Sequence, residues 1–382
     1  MPLLPRSRLP AAGISIFTVM SQLAEEHGAI NLSQGFPDFD AAPELTARAG
    51  EWFSRGRNQY APMAGVLSLR EELAASIERL YGAQYDPGAE ITITAGATEA
   101  IFSTITALVH PGDEVLLVEP CYDSYVPAVQ LAGGVPVFTT LRFPEYRLDW
   151  DEVRARLSTR TRLMVLNSPH NPTGAVIGED DIRQLASVLD GTSVMVLSDE
   201  VYEHLTFDGR RHVSIASVPE LAGRAAVVSS FGKSFHTTGW KVGWVSAPAA
   251  ITAEIRRVHQ FVTFAVNTPL QHAYAELLAG GVDFAAVGRF YQAKRDRFLA
   301  LVAGSRLKPL PCAGTYFVLM DYTGAGDGSD RDMAMRLIRE HGVASIPTSA
   351  FLYATEAPPV LRFCFAKTDD TLVRAADRLS RA

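Results

Sequence analysis

The residues able to do chemistry in this chain gather around one lysine. Ser229-Ser230-Phe231-Gly232-Lys233 is followed by Gly239-Trp240-Lys241-Val242-Gly243-Trp244. Upstream, an apolar run, Val194-Met195-Val196-Leu197, ends in Ser198-Asp199-Glu200-Val201-Tyr202. A lysine amine can condense with an aldehyde, a buried carboxylate can hold a proton on a ring nitrogen by charge pairing, and a phenol can donate to a neighbouring oxygen. Each residue alone has an ordinary explanation, a solvated loop lysine or an aspartate at a helix start. The order and spacing of the set is much harder to obtain by accident.

Four further segments carry polar groups at strand ends. Ile93-Thr94-Ala95-Gly96-Ala97-Thr98-Glu99-Ala100 runs from a strand into a helix through small residues, which leaves free N–H groups of a helix N-terminus facing an anion. Tyr122 follows Glu119-Pro120-Cys121 at the C-terminal end of a strand, where open α/β sheets bind ligands. Cys121 has no histidine partner placed by a motif and reads as structural. In Asn167-Ser168-Pro169-His170-Asn171-Pro172-Thr173-Gly174 both prolines enforce an extended, turning backbone that can hold the asparagine amides rigidly. Arg362 stands in Val360-Leu361-Arg362-Phe363-Cys364-Phe365, and its apolar neighbours favour a partly buried, paired role. A guanidinium there can fix a carboxylate through two parallel N–H bonds.

With these residues in view, the chain resembles the class I/II aminotransferases that depend on pyridoxal 5′-phosphate (PLP), of the aspartate aminotransferase fold. Within them it is most similar to the kynurenine/glutamine transaminase branch, and there to bacterial methionine aminotransferases. The likeness runs from Asn31-Leu32-Ser33-Gln34-Gly35-Phe36-Pro37-Asp38-Phe39 to the strand around Arg362. It implies PLP as cofactor, with Lys233, Asp199 and Tyr202 as the catalytic groups. Gly96, Ala97, Thr98, Ser230 and Lys241 would hold the phosphate, and Tyr60 would reach the phosphate of a neighbouring subunit. Tyr122 would stack on the ring and Asp199 would pair with its nitrogen. Asn171 and Tyr202 would donate to the phenolic oxygen. Lys233 would carry the cofactor at rest and then act as general base at the substrate Cα. Gly35, Asn167, Asn171 and Arg362 would receive the substrate carboxylate, and Ile14, Phe36, Tyr122 and Phe264 would wall its side chain. No metal is implied.

Two departures from the aspartate branch matter. Lys241 stands where an arginine is usual, which supplies charge without the bidentate fork. The second arginine that reads a side-chain carboxylate has no counterpart in residues 259–267. The expected reaction is therefore transamination of L-amino acids with apolar or aromatic side chains to a 2-oxo acid. Methionine comes first, with phenylalanine, tyrosine, kynurenine and glutamine as further candidates. Shared sites imply a homodimer. A cysteine-conjugate C–S β-lyase is the open alternative, because both reactions begin by removing the Cα proton. A PLP-binding regulator is more remote, since it would need a fused helix-turn-helix domain.

Positioning these groups requires a large scaffold. At 382 residues the chain exceeds the size at which a single core stops growing. From residue 91 onward, apolar runs at 91–94, 114–118, 135–139, 163–166, 194–197, 225–228 and 242–245 alternate with helical segments. That alternation predicts an α/β fold whose mostly parallel seven-stranded sheet lies between helices. Helices are predicted over 17–26, 67–81, 285–301 and 331–341, and a strand over 360–365. The expected division is an arm (1–45) that joins a smaller α/β domain, a large PLP-binding domain (46–283) and a C-terminal small domain (284–382). Residues 324–328, rich in glycine, read as a flexible surface loop. A net charge of −7 with no basic block excludes a nucleic-acid footprint, and no apolar stretch reaches the ~20 residues of a membrane span. Three widely spaced cysteines and the absence of a signal-like h-region fit a cytoplasmic protein.

Overall fold

The computed structural model describes residues 6–10 and 13–382, so residues 1–5, 11 and 12 of the expected arm lie outside the described part. Seven strands build the central sheet: β1 (Ile91–Thr94), β2 (Glu114–Glu119), β3 (Val135–Thr140), β4 (Thr161–Asn167), β5 (Met195–Asp199), β6 (Ala225–Ser230) and β7 (Gly243–Ser246). Their order across the sheet is β1-β7-β6-β5-β4-β2-β3. Only β7 runs against the rest, antiparallel to both β1 and β6.

Every residue of β1, β2, β6 and β7 is buried, as a sheet covered on both faces requires. Period two divides them between the layers. Leu117 and Val165 pack with Ile101 and Ile105 on one face, while Leu116 and Met164 pack with Ile182 and Leu185 on the other. The helices Ala97–Leu108 and Glu179–Leu189 therefore cover opposite faces.

A second, smaller sheet is antiparallel: β8 (Lys308–Pro309), β9 (Phe317–Asp321), β10 (Ile346–Pro347) and β11 (Val360–Cys364), in the order β10-β11-β9-β8. The N-terminal arm joins this part. Ile30 and Asn31 pair in parallel with Val343 and Ala344, and Met20 and Leu32 share one core with Phe317, Leu337 and Phe363. The whole is the expected α/β fold, with a mainly parallel sheet between helices and a smaller α/β unit made from both chain ends.

Helix ends follow their capping residues. The helix Leu67–Tyr81 stands as predicted and stops at Gly82, whose φ of 70° is left-handed. The predicted helix 285–301 begins one residue earlier, because Asp283 caps it by accepting from the Ala286 N–H at 3.1 Å. Two expectations shift. The strand expected at 242–245 begins only at Gly243, since Lys241 is left-handed (φ 53°, ψ 50°) and turns the chain first. The loop 324–328 is stitched down rather than free: Ala325 is buried, and the Ala325 N–H donates to the Tyr322 carbonyl at 2.8 Å. No described helix is long and apolar enough to cross a membrane.

Candidate active site

The C-terminal ends of the parallel strands converge on one cavity of about 270 Å³. Asn167 and Asp199 end β4 and β5 as register partners, and Lys233 follows the end of β6 in the short helix Phe231–Ser234. Around the cavity stand Gly96, Ala97, Thr98, Ser230 and Lys241, then Tyr122, Asp199, Tyr202 and Lys233, then Gly35, Asn167, Asn171 and Arg362. Residues predicted from seven separate segments are thus brought to one place.

One end is built for an anion. Gly96 has a φ of 78° and precedes the first turn of the helix Ala97–Leu108. A Cβ on Gly96 would sit 3.2 Å from the Lys241 ammonium nitrogen, so a side chain would crowd the cation that overhangs this turn. A Cβ on Gly243 would meet the Ala97 amide nitrogen at 2.9 Å, so β7 must also be bare there. Helix N–H groups, the Thr98 and Ser230 hydroxyls and one ammonium together form an anion cradle.

In the middle lie three titratable groups that burial has moved. Burial pushes the Asp199 carboxyl up to about 6, against the opposing pull of Tyr125, the Val201 N–H and Lys233. The Tyr125 hydroxyl donates to Asp199 Oδ2 at 2.6 Å. Burial, reinforced by Lys241, pushes the Lys233 amine down to about 8, which leaves a usable neutral fraction near neutrality. Burial also pushes the Tyr202 phenol up, so it stays a proton donor.

At the remaining end Arg362 is fully buried on β11. Burial lowers its guanidinium to about 10. Its Nη1 donates to Asn171 Oδ1 and its Nη2 to the Ser33 carbonyl, both at 2.8 Å. Its Nε is buried without a partner among the described residues. The guanidinium carbon lies 3.9 Å from the Phe317 ring centroid, so the cation is packed as well as bonded. Asn167 lines the cavity, but both ends of its amide are engaged by main chain. Its Nδ2 donates to the Asp199 carbonyl at 2.8 Å, and its Oδ1 accepts from the Asn171 N–H at 2.8 Å.

Four expected residues are not on the wall of this cavity. Ile14 and Tyr60 are strongly exposed, Phe264 is half exposed with its ring 5.3 Å from that of Tyr60, and Phe36 lies under the Lys367 ammonium. Cys121 is buried and its thiol is pushed well up, in keeping with a structural role. Sequence reasoning missed Phe17, Gln34 and Phe317 on the wall, and Tyr125 behind Asp199. Tyr125 had a signal, its spacing of three from Tyr122 at a helix start. Phe17 and Phe317 were indistinguishable from ordinary core residues.

The family model for class I and II aminotransferases matches residues 27–379. Methionine aminotransferase of Escherichia coli (strain K12) is 50% identical, covering 99% of this chain and 98% of its own. The probable N-succinyldiaminopimelate aminotransferase of Mycobacterium tuberculosis is 40% identical over 98% of this chain and 97% of its own. The kynurenine–oxoglutarate transaminase of Dictyostelium discoideum is 34% identical over 98% and 95%. Among solved structures, YbdL from Escherichia coli, whose crystal structure and reactivity identify a methionine aminotransferase function, superposes with a TM-score of 0.97 at 50% identity over 100% of both chains.

Proposed function

The chain belongs to the class I and II aminotransferases, and from that premise we propose that it moves the amino group of methionine and of aromatic L-amino acids onto a 2-oxo acid. Its cofactor, PLP, supplies the electron sink that makes the Cα–H of a bound amino acid acidic. The donor set fits that group, with an anion cradle for the phosphate, a buried carboxylate for the ring nitrogen and an amine of lowered pKa for the aldehyde carbon.

In this reading Thr98, Ser230, Lys241 and the N–H groups after Gly96 hold the phosphate. Asp199 keeps a proton on the ring nitrogen, and the positive ring in turn favours the ionised carboxylate that burial alone disfavours. Tyr202 donates to the phenolic oxygen. Asn171 can do so too, because Arg362 occupies its Oδ1 and leaves its amide hydrogens free. The Lys233 amine, lowered to about 8, would take the proton from the substrate Cα and hold it for return. Arg362 receives the α-carboxylate, and its unpaired buried Nε supports that role. Asn167 positions Asn171 through its Oδ1 and keeps one Nδ2 hydrogen free on the cavity wall for the same carboxylate.

The preference for uncharged side chains rests on one observation. Among the described residues that line the cavity, the cations are Lys233, Lys241 and Arg362, and each already has a task. A side-chain carboxylate would be buried unpaired at a cost of several kcal/mol. An apolar side chain against Phe17, Ile101 and Phe317 gains about 1.5–3 kcal/mol instead. A panel of amino donors tests this. Methionine, phenylalanine or tyrosine should exceed aspartate in kcat/KM, and aspartate as the best donor would overturn the pocket assignment.

The site is completed, in this reading, by Tyr60 and Phe264 from a second copy of the chain. Their support is the exposure of Tyr60 (82%) and Phe264 (51%), whose rings lie 5.3 Å apart on the surface of a single chain. Residues 46–283 then serve as the PLP-binding domain, with 1–45 and 284–382 as the smaller one. Three free, buried cysteines support a cytoplasmic setting.

A further inference from the structure

On the same helix turn as the anion cradle lies a largely buried carboxylate that none of these steps uses. Glu99 is the third residue of the helix Ala97–Leu108. Its Oε2 accepts from the Ala95 N–H at 3.0 Å, and its Oε1 accepts from Ser103 Oγ at 2.5 Å. A glutamate at this position is locally favourable, since it satisfies a free N–H and sits at the positive end of the helix. It also competes for that end with any phosphate bound there.

The carboxylate has a specific partner. His259, on the helix Ala249–Val262, is 0% exposed, and its Nδ1 lies 3.0 Å from Glu99 Oε1. Its Nε2 lies 3.0 Å from the Met63 carbonyl oxygen. A carbonyl only accepts, so Nε2 carries a hydrogen. A neutral ring of that tautomer would aim its Nδ1 lone pair at a carboxylate oxygen, which repels. A proton must therefore lie between Nδ1 and Oε1. The pair is net neutral whether that proton belongs to the imidazole or to the carboxyl.

We propose that His259 is a positioning residue that cancels the charge of Glu99, so that the turn Gly96–Thr98 stays receptive to the cofactor phosphate. The same imidazole ties that helix to the segment carrying Tyr60 and Met63. The proposal rests on the reading of Gly96–Thr98 as the phosphate site. Without the imidazole, a largely buried like charge would stand on the helix turn that is to receive a dianion, where low polarity strengthens the repulsion.

The test compares equilibrium binding of PLP with that of pyridoxal, which lacks the phosphate, after the holoenzyme has been stripped of cofactor. His259→Gln should weaken PLP on the order of tenfold or more and leave pyridoxal nearly unchanged. The double variant His259→Gln/Glu99→Gln should recover most of the loss, because the offending charge is gone. Glu99→Gln alone should bind PLP at least as tightly as the parent, and it serves by itself if His259→Gln does not fold. Equal losses of PLP and pyridoxal, a deeper loss in the double variant or a loss in Glu99→Gln alone would each overturn the proposal. Thr98→Val separates the two readings. If it lowers the preference for PLP and His259→Gln does not, only the role of His259 fails. If Thr98→Val leaves that preference intact, the phosphate site itself is misplaced and the proposal falls with it.

Discussion

Lys233 and Asp199 are both moved by burial toward their neutral forms, which makes Lys233 a usable base and leaves Asp199 to be ionised by the positive ring nitrogen it would pair with. An amine at about 8 can be a nucleophile and a base near neutrality, whereas an ordinary lysine is almost fully protonated there. Lys233→Ala should lose at least about 10²–10⁴-fold in rate. Borohydride reduction of the holoenzyme should fix the cofactor on the peptide containing Lys233, and label on a different lysine would end the assignment. Asp199 gives a pH signature to the cofactor-free protein. Its folded pKa of about 6 lies above the unfolded value of about 3.9, so the folded chain holds the proton more tightly. The stability it contributes is complete below about pH 4 and is lost as pH rises through about 6. Melting curves of cofactor-free Asp199→Asn should lack that decline, which the unmodified chain should display. A constant difference between the two from pH 4 to pH 6 would count against the buried, raised carboxyl.

The site is assembled by elements whose ends meet. β4, β5 and β6 deliver Asn167, Asp199 and Ser230 to one edge of the central sheet, while β11 brings Arg362 across from the smaller sheet. The arm closes the gap between them. The Tyr316 hydroxyl donates to the Gly35 carbonyl at 2.6 Å, and a Cβ on Gly35 would come within 2.7 Å of the Phe317 ring. Phe317 is the ring against which Arg362 packs. Gly35→Ala should therefore displace the floor beneath Arg362, at the ~1–3 kcal/mol typical of overpacking, and raise KM for every amino donor alike. The absorbance of bound cofactor should stay unchanged, because the phosphate and ring contacts lie on other elements. Lost cofactor affinity with an unaltered KM would show that the arm acts elsewhere.

For the molecule as a whole, the decisive question is whether one chain contains a complete site. Tyr60 and Phe264 touch each other on the surface, away from the cavity they are expected to serve. If two copies exchange them, a Tyr60 lesion acts in the partner's site while a Lys233 lesion acts in its own. Co-expression of Lys233→Ala with Tyr60→Ala chains should then create mixed dimers with one doubly damaged site and one intact site. Activity well above the mean of the two parents is expected. Activity equal to that mean would place the whole site within one chain.

The legible part of this protein was local. Apolar runs of four or five residues, broken by helical segments, set the seven strands and their alternating faces, because side-chain direction in a strand follows sequence parity. Turn residues at the ends of those runs, Gly96 to Thr98, Asn167 to Asn171 and Ser230 to Lys241, were readable because the chemistry that ends a strand is written in adjacent positions. Two-residue strands such as Ile30–Asn31 and Ile346–Pro347 were not, since so short a pairing has no pattern of its own. Nor could the amino-acid order reveal that Arg362 packs on Phe317, that Tyr125 bonds Asp199 or that His259 Nδ1 lies 3.0 Å from Glu99 Oε1. Those contacts join residues up to 160 positions apart. They exist only because every intervening layer packs as it does, and no local propensity encodes that sum.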